Sequence, residues 1–507
     1  MNELIYRSVG NLESLQYYLP ELSLLGVFLV VFFIDLATGR ERSRAAGPVA
    51  VVGLAVVAAV TLWTQMRVSA AGEPGVRLFF GMVAADPIAT FFKLVFLAAV
   101  AVTILMTLRD SELTDRRLGE YYSLLLLLTM GLFFMASSTN LLMFYIALEV
   151  ASYLSYVLVG FVKGQIKSSE ASLKYVLYGS VSSGAMLFGI SIIYGLTGTL
   201  DLFALAGLLS EVPRLPLLVA TFLIMVGIGY KISAVPFHFW TPDVYEGANT
   251  PMTAFLSVAS KAAGFALLIR FIFFGTGAAA GDAVAAIDWQ KLLIVLSVLT
   301  MTVGNLVAIH QRSMKRLLAY SSIAHAGYIL MGLTTLNQEG LFAALFYIAV
   351  YLFMNLGAFL VVIALRDRIK DEDDIGSYFG LGARFPAVAV MMGVFLFSLT
   401  GLPPTAGFIG KFYLFAAVIR AGLYELAVIG VLNSVVSLYY YARILRAMFL
   451  ASGEEVEQAQ AAPGPLMPAV TRLYSVLLVV LAVPTVLLGI YWNPLAQWVE
   501  KSVRFLF

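Results

Sequence analysis

The sequence contains no cysteine and only three histidines among its 507 residues. Without cysteine, the chain can form no disulfide bond, no iron–sulfur cluster and no thiolate metal site. The histidines, His238, His310 and His325, are too few and too scattered to favour a haem or a di-metal centre. We therefore expect this chain to bind no metal and no cofactor of its own.

Charged residues are also scarce, at 12% of the chain, whereas 61% of the residues are hydrophobic. A soluble domain usually carries about 25% charged residues. Apolar runs recur from end to end, and runs of roughly 20 residues are long enough to cross a bilayer. The 32 basic residues are balanced by 30 acidic ones, so the net charge gives no support for nucleic-acid binding. The composition predicts an all-α membrane protein embedded in a lipid bilayer.

Two nucleotide-binding motifs are missing from the chain. It has no GxxxxGK[ST] sequence to cradle phosphates, so it should not drive pumping with ATP. It also has no GxGxxG that follows a strand, so it should not bind NADH by itself.

The apolar runs predict about fourteen transmembrane helices. Their expected positions are 19–38, 48–66, 87–108, 119–137, 139–162, 171–197, 215–235, 250–274, 290–309, 318–336, 340–366, 386–421, 425–450 and 470–492.

The stretch 227–264 differs from ordinary lipid-spanning sequence. It carries Lys231 within an apolar run, and then Pro236, which breaks the helix because proline has no N–H and clashes with the preceding turn. A polar turn is predicted at 243–249, and Lys261 follows about three turns into the next helix. A broken helix flanked by two lysines is unfavourable in lipid unless it lines a wet path enclosed by protein. This stretch predicts a protein that moves protons.

A second broken helix in the predicted span 386–421 suggests an internal repeat. Its break contains Pro403 and Pro404, and Lys411 follows the break. Five spans per repeat is an odd number, so we expect two repeats of inverted topology, an arrangement that places a transport path at the membrane midplane. The predicted units are three N-terminal helices at 1–118, a first five-helix repeat at 119–275, a second at 289–450, and a linker with the last helix at 451–507.

Basic residues alternate between short loops and predict the orientation of the chain. Loops rich in Lys and Arg face the cytoplasm in most membrane proteins. This rule predicts a multi-pass protein of the bacterial plasma membrane with both termini on the periplasmic side. The basic loops follow the odd-numbered spans at 40–44, 109–117, 163–167, 312–316 and 366–384.

Several ionisable residues inside predicted spans of the first repeat are candidates for proton transfer. Glu149 lies about ten residues into its helix, so it should be neutral or paired with a cation, and Lys231 is the available partner. A structural ion pair between these two residues is the alternative. Lys261 has no carboxylate at helical spacing and could carry a proton, although a lysine that reaches towards the membrane surface would look the same.

Two secondary candidates lie in the same half of the chain. His238, on the broken segment, could relay protons or only bond a freed backbone carbonyl. Lys174 follows Glu170 by four residues, and an ordinary i,i+4 pair at the membrane surface is the competing interpretation. The second repeat offers His325 and Lys411 in comparable places.

Four blocks of sequence resemble subunit N of proton-translocating NADH:quinone oxidoreductase, respiratory complex I. This family belongs to the wider group of antiporter-like subunits, which multisubunit sodium/proton antiporters share. The blocks are KISAVPFHFWTPDVYEGANTPMTAFLSVASKAAGF, SSEASLKYVLYGSVSSGAMLFGISIIYGLTG, MKRLLAYSSIAHAGYILMG and GLPPTAGFIGKFYLF.

The resemblance implies a role for each candidate residue. Glu149 would be the carboxylate that pairs with Lys231, Lys261 would be the central lysine of the proton path, and Lys411 would be the lysine on its exit side. His238 and Lys174 would connect the path. His325 would match a histidine on a broken or bulged tenth span.

The resemblance also implies partners and cofactors outside this chain. Other membrane and peripheral subunits of complex I would surround it, and those subunits would hold NADH, FMN, iron–sulfur clusters and quinone. A sodium/proton antiporter subunit that acts without quinone chemistry is one alternative function. A membrane scaffold whose buried charges only hold helices together is another.

Overall fold

The structure is a computed structural model. It describes residues 6–42, 45–113, 118–276, 287–366, 368–452, 454–455 and 470–507. These ranges include only part of the predicted basic loops at 40–44 and 109–117. Most of the predicted linker lies outside them.

The described chain is helical almost throughout, and the helices are numbered here in chain order. They are α1 Asn11–Tyr17, α2 Leu19–Arg42, α3 Ala46–Ala70, α4 Pro87–Thr107, α5 Leu118–Ser137, α6 Leu141–Val159, α7 Ile166–Thr197, α8 Leu202–Leu208, α9 Arg214–Ile232, α10 Trp240–Gly247, α11 Thr250–Gly275, α12 Trp289–Ala308, α13 Met314–Leu333, α14 Gln338–Leu365, α15 Leu381–Arg384, α16 Pro386–Thr400, α17 Ala406–Arg420, α18 Tyr424–Phe449, α19 Arg472–Ile490 and α20 Asn493–Val503.

The predicted fold class is confirmed. Within the described residues, twelve helices are long and apolar enough to cross a membrane. The two remaining predicted spans are α13, which is long enough but more polar, and the broken pair α16 and α17. The division into two inverted repeats stays a prediction.

The centre of the bundle is formed by α11 and α14. The apolar window of α11 is wholly buried, and that of α14 nearly so. Around them pack α4, α5, α9, α13, α16 and α17. Polar side chains on α11 and α14 are therefore surrounded by protein, where they can act without facing lipid.

Both predicted helix breaks are present. The first lies between α9 and α10, where the Val235 N–H donates to the Thr300 hydroxyl on α12 at 3.0 Å. The second lies between α16 and α17, and Gly401 adopts a left-handed conformation there with φ of +89°. A break frees backbone groups that lipid could not satisfy, and at the first break another helix satisfies one of them.

Two expectations about local structure are wrong. The predicted polar turn at 243–249 is mostly helix, because α10 extends from Trp240 to Gly247 and the Asn249 side chain then caps α11 by accepting from the Met252 N–H at 3.0 Å. The tenth span carries no break, since α13 is continuous. The π-helical turns lie in α11 instead, and one of them ends immediately before Lys261.

A small sheet lies beside the N-terminal helices and was not predicted. Strand β1 (Arg7–Ser8) pairs in parallel with β2 (Val76–Leu78), and β2 pairs antiparallel with β3 (Val83–Ala85). These strands are too short to give the alternation of polar and apolar residues that identifies a strand.

Candidate functional site

Three lysines lie in the interior of the bundle, and all three are sequence candidates. The exposed fractions are 1% for Lys231, 4% for Lys261 and 4% for Lys411. Among the described residues, no carboxylate oxygen lies within 4.0 Å of any of their ammonium nitrogens. Hydroxyl and carbonyl oxygens accept their hydrogen bonds instead.

Lys231 is positioned by the end of α9. Its Nζ donates to the Ser152 hydroxyl on α6 at 3.3 Å. Helix α11 approaches closely at Gly264, where a Cβ would lie 2.6 Å from the Ile232 side chain and 3.2 Å from the Cβ of Lys231. The absence of a side chain at position 264 therefore lets α11 pack against the lysine.

Glu149 and Lys231 are neighbours without a direct contact. Glu149 is half-buried on α6, three residues before Ser152, so both residues lie on one face of that helix. The charge of Glu149 is the one that acts on Lys231.

Lys261 occupies the middle of α11. Its Nζ donates to the Ser322 hydroxyl on α13 at 2.7 Å and lies 5.8 Å from the ring centre of Tyr245. A small cavity adjoins the lysine and is lined by residues from α11, α13 and α14, including Ser322 and Tyr351. The ammonium group therefore borders a space between three buried helices.

His325 lies on α13, one turn beyond Ser322. Its Nδ1 is 2.7 Å from the Tyr347 hydroxyl, and its Nε2 is 3.3 Å from the Tyr441 hydroxyl. The Tyr441 hydroxyl also contacts the Ser321 hydroxyl at 2.5 Å. Ser321, Tyr441, His325 and Tyr347 therefore form a hydrogen-bonded row in the second half of the chain, and this row begins at the residue next to Ser322, the partner of Lys261.

Lys411 lies just after the second break. Its Nζ donates to the Thr400 carbonyl at 2.8 Å and to the Ser434 hydroxyl at 3.1 Å. The nitrogen also lies 4.6 Å from the ring centre of Tyr328, whose hydroxyl contacts Ser434. A Cβ at position 401 would lie 2.8 Å from the Lys411 side chain, so glycine leaves the space that the lysine needs.

The secondary candidate His238 lies on the broken segment and is buried. Its ring packs against Phe239, with 4.5 Å between the ring centres. Its Nδ1 has no hydrogen-bond partner among the described residues.

Lys174 belongs to an ion-pair network at one end of the bundle. The predicted pair with Glu170 is present at 2.7 Å, but Asp243 on α10 is bound at the same distance. Arg316 of α13 joins Asp243 at 2.7 Å and Glu246 at 2.9 Å. The network therefore fastens α10 to α7 and α13.

The network also sets the charge of α10. Partial burial raises the pKa of Asp243, but the hydrogen bonds from Lys174 and Arg316 lower it more strongly, so the pKa lies below its ordinary value. The pKa of Glu246 is lowered in the same way, against partial burial, by Lys167 and Arg316. Both carboxylates are ionised at neutral pH.

Several buried polar atoms near Lys261 have no hydrogen-bond partner within the described chain. Native proteins satisfy most such atoms, and a cluster of unsatisfied ones marks a place for water. The atoms are Oγ of Ser260 and the hydroxyl oxygens of Tyr175, Tyr245 and Tyr351. No group of three His, Asp or Glu side chains in the described ranges is arranged to hold a metal ion.

Two buried ion pairs outside the candidate set were missed. Arg270 of α11 binds Asp86 through both carboxylate oxygens, at 3.0 and 2.8 Å, and both side chains are completely buried. Lys93 of α4 binds Glu21 of α2 at 2.6 Å. Arg270 and Lys93 both interrupt predicted spans, which is the signal that could have identified them, but only the fold shows their partners.

Comparison with known proteins gives one family. The model of the family described as NADH:quinone oxidoreductase/Mrp antiporter, TM matches residues 138–437. The chain is 47% identical to NADH-quinone oxidoreductase subunit N 2 of Chloroherpeton thalassium, over 99% of this chain and 97% of that protein. It is 45% identical to NADH-quinone oxidoreductase subunit N of Anaeromyxobacter sp., over 97% of both chains.

Solved structures agree. A chain of respiratory complex I from Thermus thermophilus with bound aureothin is 31% identical, with a TM-score of 0.76 over 94% of this chain and 98% of that one. A chain of the Mrp complex from Dietzia sp. is 23% identical with a TM-score of 0.82 over 97% of both chains, and this likeness shows the fold alone. The chain therefore belongs to the family of NADH-quinone oxidoreductase subunit N, within the antiporter-like membrane subunits.

Proposed function

We propose that this chain conducts protons across the membrane as the N-type subunit of a proton-translocating NADH:quinone oxidoreductase, while quinone is reduced elsewhere in the complex. One observation carries the proposal. Three buried lysines, Lys231, Lys261 and Lys411, hold their ammonium groups against hydroxyl and carbonyl oxygens inside a bundle with two broken helices. A lysine without a bound carboxylate can release and regain a proton more readily than one in a closed ion pair.

The proton moves along the chain in steps between these groups. A charge or conformational signal from neighbouring subunits changes the separation between Glu149 and Lys231, which are not in contact in this structure. When Glu149 moves away, Lys231 is buried without a nearby anion, and release of its proton becomes favourable. Lys261 accepts that proton, and Lys411 passes one towards the outer side.

The secondary candidates serve the ends and the middle of this path. His325 links the Lys261 region to Lys411 through the hydroxyls of Tyr441 and Tyr347, to which its two ring nitrogens are bonded. His238 lies on the broken segment between Lys231 and Lys261 and exchanges protons with water there. Lys174 holds α10 in place through Asp243 and so supports the path from one end.

The setting of the chain follows from the same proposal. It is a multi-pass subunit of the bacterial plasma membrane with both termini in the periplasm. Other membrane and peripheral subunits of the complex are its partners, and those subunits carry NADH, FMN, the iron–sulfur clusters and quinone. This chain holds no redox centre and contributes only the proton path.

The deciding experiment measures redox-driven proton pumping in membranes that carry Lys261→Ala, with assembly of the complex followed on native gels. We expect the complex to assemble and pumping to fall steeply, together with electron transfer. Lys291→Ala is the matched control, because Lys291 is an exposed lysine whose partner, Asp288, is also on the surface. It should pump at the parental rate.

Two outcomes would replace this proposal. If assembled Lys261→Ala complex pumps at the parental rate, the buried lysines only hold helices together, and the chain is a scaffold. If membranes without any redox substrate show sodium-dependent proton exchange through this subunit, it acts as an antiporter subunit instead.

A further inference from the structure

Lys231 and Lys261 are not joined by any hydrogen-bonded row among the described residues. Lys231 donates to Ser152 on α6, whereas Lys261 donates to Ser322 on α13, which leads away from Lys231. A proton crosses a buried region only along groups that can accept one proton and donate another. Some further group must therefore connect the two lysines.

Tyr175 is buried on α7 beside α9, the helix that carries Lys231, with 6.1 Å between its ring centre and that of Tyr230. Its side chain is completely buried on α7, and its hydroxyl has no hydrogen-bond partner in the described chain. Its ring is held by Trp240, stacked at 4.6 Å between ring centres, and by Tyr156 in an edge contact at 4.8 Å. The aromatic contacts fix where the hydroxyl points, although nothing bonds that hydroxyl directly.

Two serine hydroxyls lie near the Tyr175 oxygen, Ser155 on α6 and Ser260 on α11. Ser155 follows Ser152 by three residues, so it lies one turn from the group that binds Lys231. Ser260 directly precedes Lys261, is buried, and likewise has no hydrogen-bond partner within the described ranges.

Two other tyrosines of this region, Tyr230 and Tyr121, have hydroxyl partners, whereas Tyr245 and Tyr351, beside Lys261, have none in the described chain. The Tyr230 hydroxyl donates to the Tyr175 carbonyl at 3.1 Å, and the Tyr121 hydroxyl donates to the Asn249 side chain at 3.1 Å. An unbonded buried hydroxyl is unfavourable by roughly 1–3 kcal/mol, so the unbonded hydroxyls of Tyr175 and Ser260, which lie near each other, call for an explanation beyond packing.

We propose that the Tyr175 hydroxyl is the relay between Lys231 and Lys261, an inference that rests on the proposed proton conduction. Water molecules bridge the hydroxyls of Ser152, Ser155, Tyr175 and Ser260. The Lys231 ammonium loses one proton to this row, and the Tyr175 oxygen accepts a proton from the Ser155 side. Tyr175 releases its own hydroxyl proton towards Ser260, and the neutral Lys261 amine gains one. Rotation of the hydroxyls then restores the row, so no charge remains on Tyr175.

The test is Tyr175→Phe in the intact complex, which keeps the ring and its contacts and removes only the hydroxyl. We expect assembly at the parental level, redox-driven pumping reduced about tenfold, and a larger solvent deuterium isotope effect on turnover, because proton transfer becomes slower. Tyr121→Phe is the matched control. It removes a buried, bonded tyrosine hydroxyl away from this row, so its isotope effect should match the parent.

Ser260→Ala gives a second test that does not disturb the aromatic cluster. It removes the other unbonded hydroxyl and should lower pumping and raise the isotope effect in the same direction. If Tyr175→Phe fails to assemble, Ser260→Ala decides.

The outcomes separate this inference from the proposed function. Parental pumping with an unchanged isotope effect in both variants, in preparations where Lys261→Ala has lost pumping, overturns the relay and leaves proton conduction standing. If Lys261→Ala also pumps at the parental rate, both the relay and the proposed proton conduction are overturned.

Discussion

Buried positive charges have two different kinds of partner in this protein. Where the N-terminal helices join one another and the rest of the bundle, Arg270 binds Asp86, Lys93 binds Glu21 and Arg366 binds Asp110, each within 3.0 Å. In the interior of the bundle, Lys231, Lys261 and Lys411 donate hydrogen bonds only to neutral oxygens in the described structure. Burial is nearly the same in both groups.

The two kinds of site differ in which groups remain charged after the cation loses its proton. A cation locked to a carboxylate cannot lose its proton without leaving a buried anion, so such pairs suit a permanent connection. A lysine among hydroxyls leaves neutral neighbours behind when it is deprotonated. A buried basic side chain therefore holds helices together in one region and, in our proposal, carries protons in the other.

The largest effect should come from breaking a closed pair. Arg270→Met leaves the Asp86 carboxylate buried without its cation, which destabilises a protein by about 3–5 kcal/mol. We expect little assembled complex on native gels. The double variant with Asp86→Asn removes both charges and should recover part of the assembly, whereas equal loss in both variants would show that the charge pairing is not the reason.

Lys411→Met should impair pumping and leave assembly intact, the opposite of the effect expected for Arg270→Met on assembly. It removes a cation whose hydrogen bonds in the described structure go to the Thr400 carbonyl and the Ser434 hydroxyl, so no buried anion is left behind. We expect normal assembly and pumping reduced by at least about tenfold, as for loss of a positioned proton-transfer group. Failure of this variant to assemble would place Lys411 with the structural cations and break the comparison.

Glu149→Gln should have a smaller effect. Glu149 acts on Lys231 through its charge and not through a bond, so assembly should be unchanged. Loss of that charge should slow pumping by a few-fold to about tenfold, which corresponds to roughly one pKa unit or less at the coupled site. Glu149→Asp keeps the charge. If it assembles at the parental level and pumps well above Glu149→Gln, the charge of Glu149 and not the shape of its side chain is what pumping requires.

The smallest effect should be the change in stability with pH that comes from the ion pair between Arg366 and Asp110. Burial raises the pKa of Asp110 to about 6, although the Arg366 guanidinium lowers it. The folded state therefore binds this proton more tightly than the unfolded state, whose Asp pKa is about 3.9. Stability from this group rises as pH falls through the folded pKa. Asp243 and Glu246, with lowered pKa values, stay ionised and do not contribute in this range.

The measurement for this prediction is the apparent Tm of the purified complex at pH 7.5 and pH 5.5. The parent should gain more on acidification than Asp110→Asn, which cannot titrate there. An identical pH response in both would show that Asp110 does not contribute to that response.

Much of the fold could be predicted because membrane spans are long and apolar. The prolines at the two breaks were equally informative, since proline cannot continue the backbone hydrogen bonds. The helix α10 was missed because its eight residues WTPDVYEG combine proline with polar side chains, a composition typical of turns. Only packing against α7 and α13, with the ion pairs of Asp243 and Glu246, stabilises them as a helix.

The candidate site could be predicted in its residues but not in its connections. Lys231, Lys261 and Lys411 are conspicuous because charge is rare inside apolar runs. Ser152, Ser322 and Tyr175 are not, because serine and tyrosine are common in membrane helices and carry no charge. They became candidates only through the nitrogens and oxygens that lie near them.

The sequence by itself determined that this protein crosses the membrane many times, that two of its helices are broken, and which buried residues can hold a proton. Those features follow from local chemistry: the polarity of the side chains, proline geometry and the energy of placing charge in lipid. Only the tertiary structure decided which buried cations are locked to carboxylates and which are left among hydroxyls. Ion pairing depends on distances between helices far apart in the sequence, as between Asp86 and Arg270, and no local pattern encodes them.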